Sequence, residues 1–165
     1  MKVFQKDKKT ILFTEGNVEV ASLIYDSRWS EKAGISLADG NQYRIETLGF
    51  WKSGFEVRKG TKSIVSLRTT WTGNVVLETL ETGNKATYTF RKKSVWKDHY
   101  ELADKDKFVL GSIVSRFRWR SFSTDYELTF SPRLKAHGQH LLLTVLMVFM
   151  LRTMMSRNNF VMIPA

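Results

Sequence analysis

Alternating apolar and polar positions run through most of the first 130 residues. Tyr43 and Ile45 alternate with Arg44 and Glu46, and Phe55 and Val57 with Glu56 and Arg58. Ala86, Tyr88 and Phe90 alternate with Thr87, Thr89 and Arg91; Tyr126, Leu128 and Phe130 alternate with Asp125, Glu127 and Thr129. Val18, Val20 and Ile24 share a face, and Val75 and Leu77 go with Thr79. A period of two sends one set toward a core and the other toward water. Gly16-Asn17, Gly40-Asn41, Gly73-Asn74 and Gly83-Asn84 separate such segments, and Lys59-Gly60-Thr61 makes a further break. Glycine, and asparagine to a lesser degree, tolerate the positive φ that tight hairpins need. Roughly ten short strands joined by hairpins predict a mainly β domain, an antiparallel barrel or sandwich.

The texture changes at Ser131-Pro132. Serine caps helices and proline suits their first position, so a helix is expected to begin near here, with Gly138 blurring its start. Leu141–Met155 reads LLLTVLMVFMLRTMM. Its polar members, Thr144, Arg152 and Thr153, form no single stripe, so the helix, placed at about 136–157, needs burial on all sides. Fifteen such residues rise about 22 Å, short of a bilayer core of about 30 Å. The expectation is therefore a helix inside the protein, and a closed barrel is the β architecture that can surround one. Arg157-Asn158-Asn159 supplies a plausible stop, with a last strand expected over 160–163.

Composition adds three constraints. Hydrophobic residues at 42% and charged residues at 25% describe a globular chain, and 165 residues suffice for one domain with a real core. Without cysteine, disulfide frameworks, thiolate metal sites and cysteine nucleophiles are excluded. That, and a charged start at Lys6, Asp7, Lys8 and Lys9 in place of a leader, fits a cytoplasmic protein. The net charge is +10. Residues 85–120 hold ten basic and four acidic side chains, a net +6. Such a field favours anionic partners.

The most suggestive chemistry lies in that segment. Arg116, Arg118 and Arg120 alternate with Phe117, Trp119 and Ser121, so the arginines share one face of a strand. Arg91, Lys92, Lys93 and Lys97 come one or two strands earlier. If the groups adjoin, they form a cationic patch suited to phosphate; the plainer alternative is a solvated outer face. His137 and His140 lack the further ligands a metal needs, and suit a loop or cap. Asp104 and Asp106 lack the downstream glutamate of a calcium loop and suit a turn. His99 has no nucleophile indicated beside it. No nucleotide-binding or nucleophile-elbow motif is present. No metal, cofactor or enzymatic role is expected. The tryptophans, Trp29, Trp51, Trp71, Trp96 and Trp119, are expected to pack a core, with a ligand cage as the alternative.

A barrel threaded by an apolar helix near the C-terminus resembles the tubby C-terminal superfamily, which includes LURP-one-related proteins, phospholipid scramblases and small bacterial relatives. Tyr43-Arg44-Ile45-Glu46 after a glycine turn is similar to that group. So is Lys107–Phe130, an apolar strand, a basic strand and a Tyr-x-Leu strand before the helix. The resemblance covers nearly all of residues 1–165. It implies twelve strands closed around the helix, and for some members phospholipid binding through basic surface residues. The expected role is thus a non-enzymatic barrel, peripheral to the membrane, that binds anionic phospholipid or another phosphorylated ligand. Alternatives are a lipocalin-like carrier of an apolar ligand and a nucleic-acid-binding barrel.

Overall fold

A computed structural model describes residues 1–49, 54–80, 85–94, 96, 98–118 and 123–160, with the backbone alone at 118, 123 and 158–160. The alternating segments form twelve strands: β1 (Lys2–Gln5), β2 (Thr10–Glu15), β3 (Val18–Tyr25), β4 (Ala33–Leu37), β5 (Gln42–Leu48), β6 (Gly54–Lys59), β7 (Lys62–Thr69), β8 (Val75–Thr79), β9 (Thr87–Lys92), β10 (His99–Asp104), β11 (Val109–Arg118) and β12 (Ser123–Phe130). Each pairs antiparallel with its sequence neighbours. β1 pairs with β12 through Val3–Tyr126 and Phe4–Asp125, which closes the barrel. Closure leaves no strand edge for another chain to extend.

The period of two decides what points inward. Ile45, Phe55, Val57, Leu77, Tyr88, Phe90 and Tyr126 are buried as the alternation requires. In β3, however, Ala21, Leu23 and Tyr25 are buried, while Val18 and Ile24 are exposed and Val20 is half-buried. A bulge between Phe13 and Thr14 shifts the pairing of β2 with β3 by one residue, so Ile24 stands opposite Thr10 but Val18 stands opposite Glu15, and the two no longer share a face.

Gly16, Gly40, Gly60 and Gly73 have φ between 60° and 85°, so the hairpin reading of these turns holds; residues 83 and 84 lie outside the described residues. Ser131 caps a helix as expected, its hydroxyl accepting from the Leu134 N–H at 3.2 Å with Pro132 at the first position. That helix, α1 (Pro132–Lys135), lasts one turn. A separate helix, α2 (His140–Phe160), does the filling. Between them His137 takes the place of a cap: its Nδ1 accepts from the Gln139 N–H at 3.1 Å, and its Nε2 lies 3.1 Å from the Tyr88 hydroxyl. The continuous helix expected from about 136 is thus broken at 136–139. At the far end α2 passes through the expected asparagine stop, its last turns held by Arg157, which reaches Glu31 at 3.0 Å and covers the Phe55 ring. Phe160 is helical rather than the start of a strand; 161–163 lie outside the described residues.

α2 is the core. Leu142 to Leu151 are all at most 2% exposed, and Phe149 packs edge-on to Phe55 at 5.1 Å and along Tyr25 at 6.1 Å. Thr144, polar and buried, donates to the His140 carbonyl at 2.8 Å and so carries no unmet group into the interior. The dimensions fit. Twelve strands spaced about 4.8 Å and tilted about 40° close a ring roughly 24 Å across. A helix occupies about 10–12 Å of that, leaving room for one layer of inward side chains. Gly111 leaves room beside α2: a Cβ there would stand 3.1 Å from the Thr129 carbonyl, 3.3 Å from the Leu134 side chain and 3.5 Å from the Met147 methyl of α2.

Candidate functional site

Sequential closure sorts the connections to two ends. Of the described residues, those after odd-numbered strands, 6–9, 26–32, 49, 70–74, 93–94, 96 and 98, lie at one end. It is the end where α2 emerges, since the Arg152 Nη2 donates to the Lys8 carbonyl at 3.3 Å and Arg157 reaches Glu31. We call it the exit end. The opposite end holds, of the described residues, 16–17, 38–41, 60–61, 80, 85–86, 105–108 and 131–139.

The expected cationic patch divides differently. Arg91 and Arg116 stand on β9 and β11, with β10 between them. Glu101 of β10, its side chain only 8% exposed, takes Lys93 at 2.6 Å and Arg91 at 3.6 Å. Arg116 pairs with Glu127 at 2.7 Å, and Lys92 approaches Asp98 at 3.8 Å. Arg91, Lys92, Lys93 and Arg116 are therefore committed to carboxylates six to eleven residues away in the sequence. The side chain of Arg118 is not described, and Lys97 and Arg120 lie outside the described residues. Phe117, which alternates with Arg116, is 48% exposed where β11 reaches the exit end.

Among the described residues the exit-end connections carry six basic and four acidic residues, with Lys6, Lys8, Lys9 and Arg28 exposed; the opposite ones carry five and two. Part of the exit-end charge is locked in a network. Arg44 forms a two-pronged pair with Asp26 and also meets Glu46 at 3.0 Å, which Lys32 reaches at 2.9 Å. The Arg44 hydrogen bonds hold the Asp26 carboxyl below its usual range, and Lys32, then Arg44, do the same for Glu46. At the mouth the Arg152 guanidinium covers the Tyr25 ring at 4.1 Å. Burial pushes the Tyr25 phenol well above its ordinary value.

The tryptophans overturn the expectation of core packing. Trp29, Trp71 and Trp96 are 75%, 98% and 95% exposed, and each stands on an exit-end connection. Trp51 and Trp119 lie outside the described residues. Among the described residues the opposite-end connections contain no tryptophan. Seeing that Trp29, Trp71 and Trp96 share an end requires the strand order, which says which connections lie together.

Elsewhere the opposite end looks structural. The Asp104 carboxylate accepts from the N–H groups of Asp106 and Phe108 and meets Arg133 at 3.0 Å, which makes the 104–108 segment a turn. Among the described residues no group of three or more histidines and carboxylates is placed to hold a metal. An apolar crevice of about 130 Å³ opens between α2 and the β6–β8 wall at the exit end, lined by Phe55, Val75, Phe149, Met150 and Met154 with Arg157 beside it. No family model, curated protein or solved structure matches the chain.

Proposed function

We propose that this chain is a tubby-like, non-enzymatic barrel that binds anionic phospholipid or another phosphorylated ligand, and that it does so through its exit end. The observation that carries the reading is the set of exposed cations Lys6, Lys8, Lys9 and Arg28 on neighbouring exit-end connections. The closed barrel around an apolar helix supports the resemblance to the tubby superfamily, though other barrels share the broad architecture. The lipocalin-like carrier has little support, because α2 fills the lumen that such a carrier keeps for its ligand. Arg91 of β9 and Arg116 of β11 are secondary in this reading, since each is paired with a carboxylate, Glu101 and Glu127 respectively.

Electrostatic binding makes a clear demand. The protein should co-sediment with vesicles of phosphatidylcholine containing phosphatidylglycerol far better than with phosphatidylcholine alone, and rising salt should release it. Equal binding to both vesicle types would remove the electrostatic reading.

A further inference from the structure

Exposed tryptophan is unusual, because the indole ring is among the largest apolar surfaces a side chain can bury. Here the exposure is imposed by ordered backbone. Around Trp29 the Asp26 N–H donates to the Lys32 carbonyl at 3.1 Å and the Ser30 N–H to the Ser27 carbonyl at 3.1 Å. Around Trp71 the Thr70 N–H donates to the Asn74 carbonyl at 2.8 Å, the Gly73 N–H to the Thr70 carbonyl at 3.0 Å, and the two threonine hydroxyls flanking the ring meet at 2.8 Å. The Trp96 connection is closed by the Lys93 N–H on the His99 carbonyl at 2.8 Å, and the Trp96 N–H itself donates to the Ser94 hydroxyl. Short hydrogen-bonded turns thus hold three indoles out from the protein at one end.

Cations stand among them. The Arg28 guanidinium lies 4.9 Å over the Trp29 ring, and Lys6, Lys8 and Lys9 fill the neighbouring β1–β2 connection. Indole is apolar across its face and polar at its N–H, which is why it settles at the boundary between lipid headgroups and hydrocarbon. Lysine and arginine beside it answer the charge of anionic headgroups.

We propose that the exit end docks on an anionic lipid bilayer, with Trp29, Trp71 and Trp96 entering the interfacial layer and the barrel axis steep to the membrane plane. The proposal rests on the anionic-ligand reading and names the bilayer as its source. The spacing of the rings favours a plane over a strand of nucleic acid. Successive exit-end connections are two strands apart, roughly 12 Å around the rim, and Trp29 stands two connections from Trp71. A flat surface meets all three at once. Single-stranded nucleic acid stacks successive bases along one groove, and a ring of separated tips offers none.

The test uses the full chain and a variant carrying Trp29→Ala, Trp71→Ala and Trp96→Ala. Because these side chains are exposed, the variant should melt with the parent, and that is checked first. With vesicles of phosphatidylcholine and phosphatidylglycerol, the parent fluorescence should shift to the blue and be quenched by lipid brominated on its acyl chains. The variant should lose most of that quenching, and its partitioning should fall by at least about tenfold. Quenching that persists with phosphatidylcholine alone would support insertion while removing the electrostatic reading. Charge-dependent sedimentation with no quenching and no effect of the variant would overturn insertion and leave that reading standing. Quenching by a single-stranded oligonucleotide, with a steep salt slope and none by vesicles, would overturn the bilayer in favour of nucleic acid.

Discussion

Replacing Phe149 by alanine probes the packing that holds the barrel together. The ring is fully buried at the centre of α2, edge-on to Phe55 at 5.1 Å and stacked along Tyr25 at 6.1 Å. Removing a buried side chain of this kind forfeits about 1.5–3 kcal/mol of transfer free energy. The two aromatic contacts add about 0.5–1.5 kcal/mol each. The sum, about 4 kcal/mol, falls within the roughly 3–5 kcal/mol typical of Phe→Ala in cores. The crevice beside Phe149 lets water relieve part of the new void, which argues against the top of that range. At about 2.1 cal/mol/K per residue, 165 residues give an unfolding entropy near 0.35 kcal/mol/K, so Tm should drop by about 12 °C. Calorimetry on purified, detergent-free protein reads this directly. Trp71→Ala is the internal control, since a 98% exposed side chain should change stability by no more than about 0.5 kcal/mol. If the two variants melt within about 2 °C of each other, Phe149 is not packed inside a cooperative barrel and the reasoning fails.

Further predictions concern the strands and the exit-end ion pairs. Gly54→Ala places a Cβ 2.5 Å from the Leu67 carbonyl oxygen, so β6 and β7 must separate at about 1–3 kcal/mol. Gly34→Ala, whose nearest neighbour is 4.0 Å away, should be neutral or mildly stabilising in the same urea titration; similar losses in both would refute the steric argument. The depressed Asp26 and Glu46 carboxyls stabilise the fold fully above their ordinary values of 3.8 and 4.5, and that contribution disappears as pH falls through the still lower folded values. Arg44→Ala should therefore melt below the parent at neutral pH, with the gap closing near about pH 2. A gap that stays constant with pH would show that Arg44 acts through packing alone.

How much the sequence disclosed depended on the range of the interaction. Alternation is local, so strands such as 54–59 and 87–92 and the glycine turns were legible from a few residues each. The all-round apolarity of Leu141–Met155 required something to enclose it, and that requirement pointed to a barrel. A bulge is not local in this sense. The shift between Phe13 and Thr14 sets Val18 opposite Glu15 while Ile24 stands opposite Thr10, so the face that alternation gives them in common is broken with no mark in their own segment. The break at 136–139 was only hinted at by Gly138, because the Tyr88–His137 contact that accompanies it spans 49 positions. The candidate site was the least legible part. The cations of 85–120 were visible, but Glu101 and Glu127 pair with Arg91, Lys93 and Arg116 from adjacent strands. The tryptophans were assigned to the core from what the residue usually does. Only the order of strands around the barrel places Trp29, Trp71 and Trp96 together at one end.

Amide hydrogen exchange with and without anionic vesicles tests the whole account in a single measurement. The account predicts that Leu142–Leu151 exchange only through global unfolding in plain buffer, and that vesicles leave them unchanged while slowing residues 26–32, 70–74 and 93–98. Fast exchange of Leu142–Leu151 in buffer, with protection arriving only when lipid is added, would mean that the helix belongs to the membrane and that no strands of its own chain enclose it.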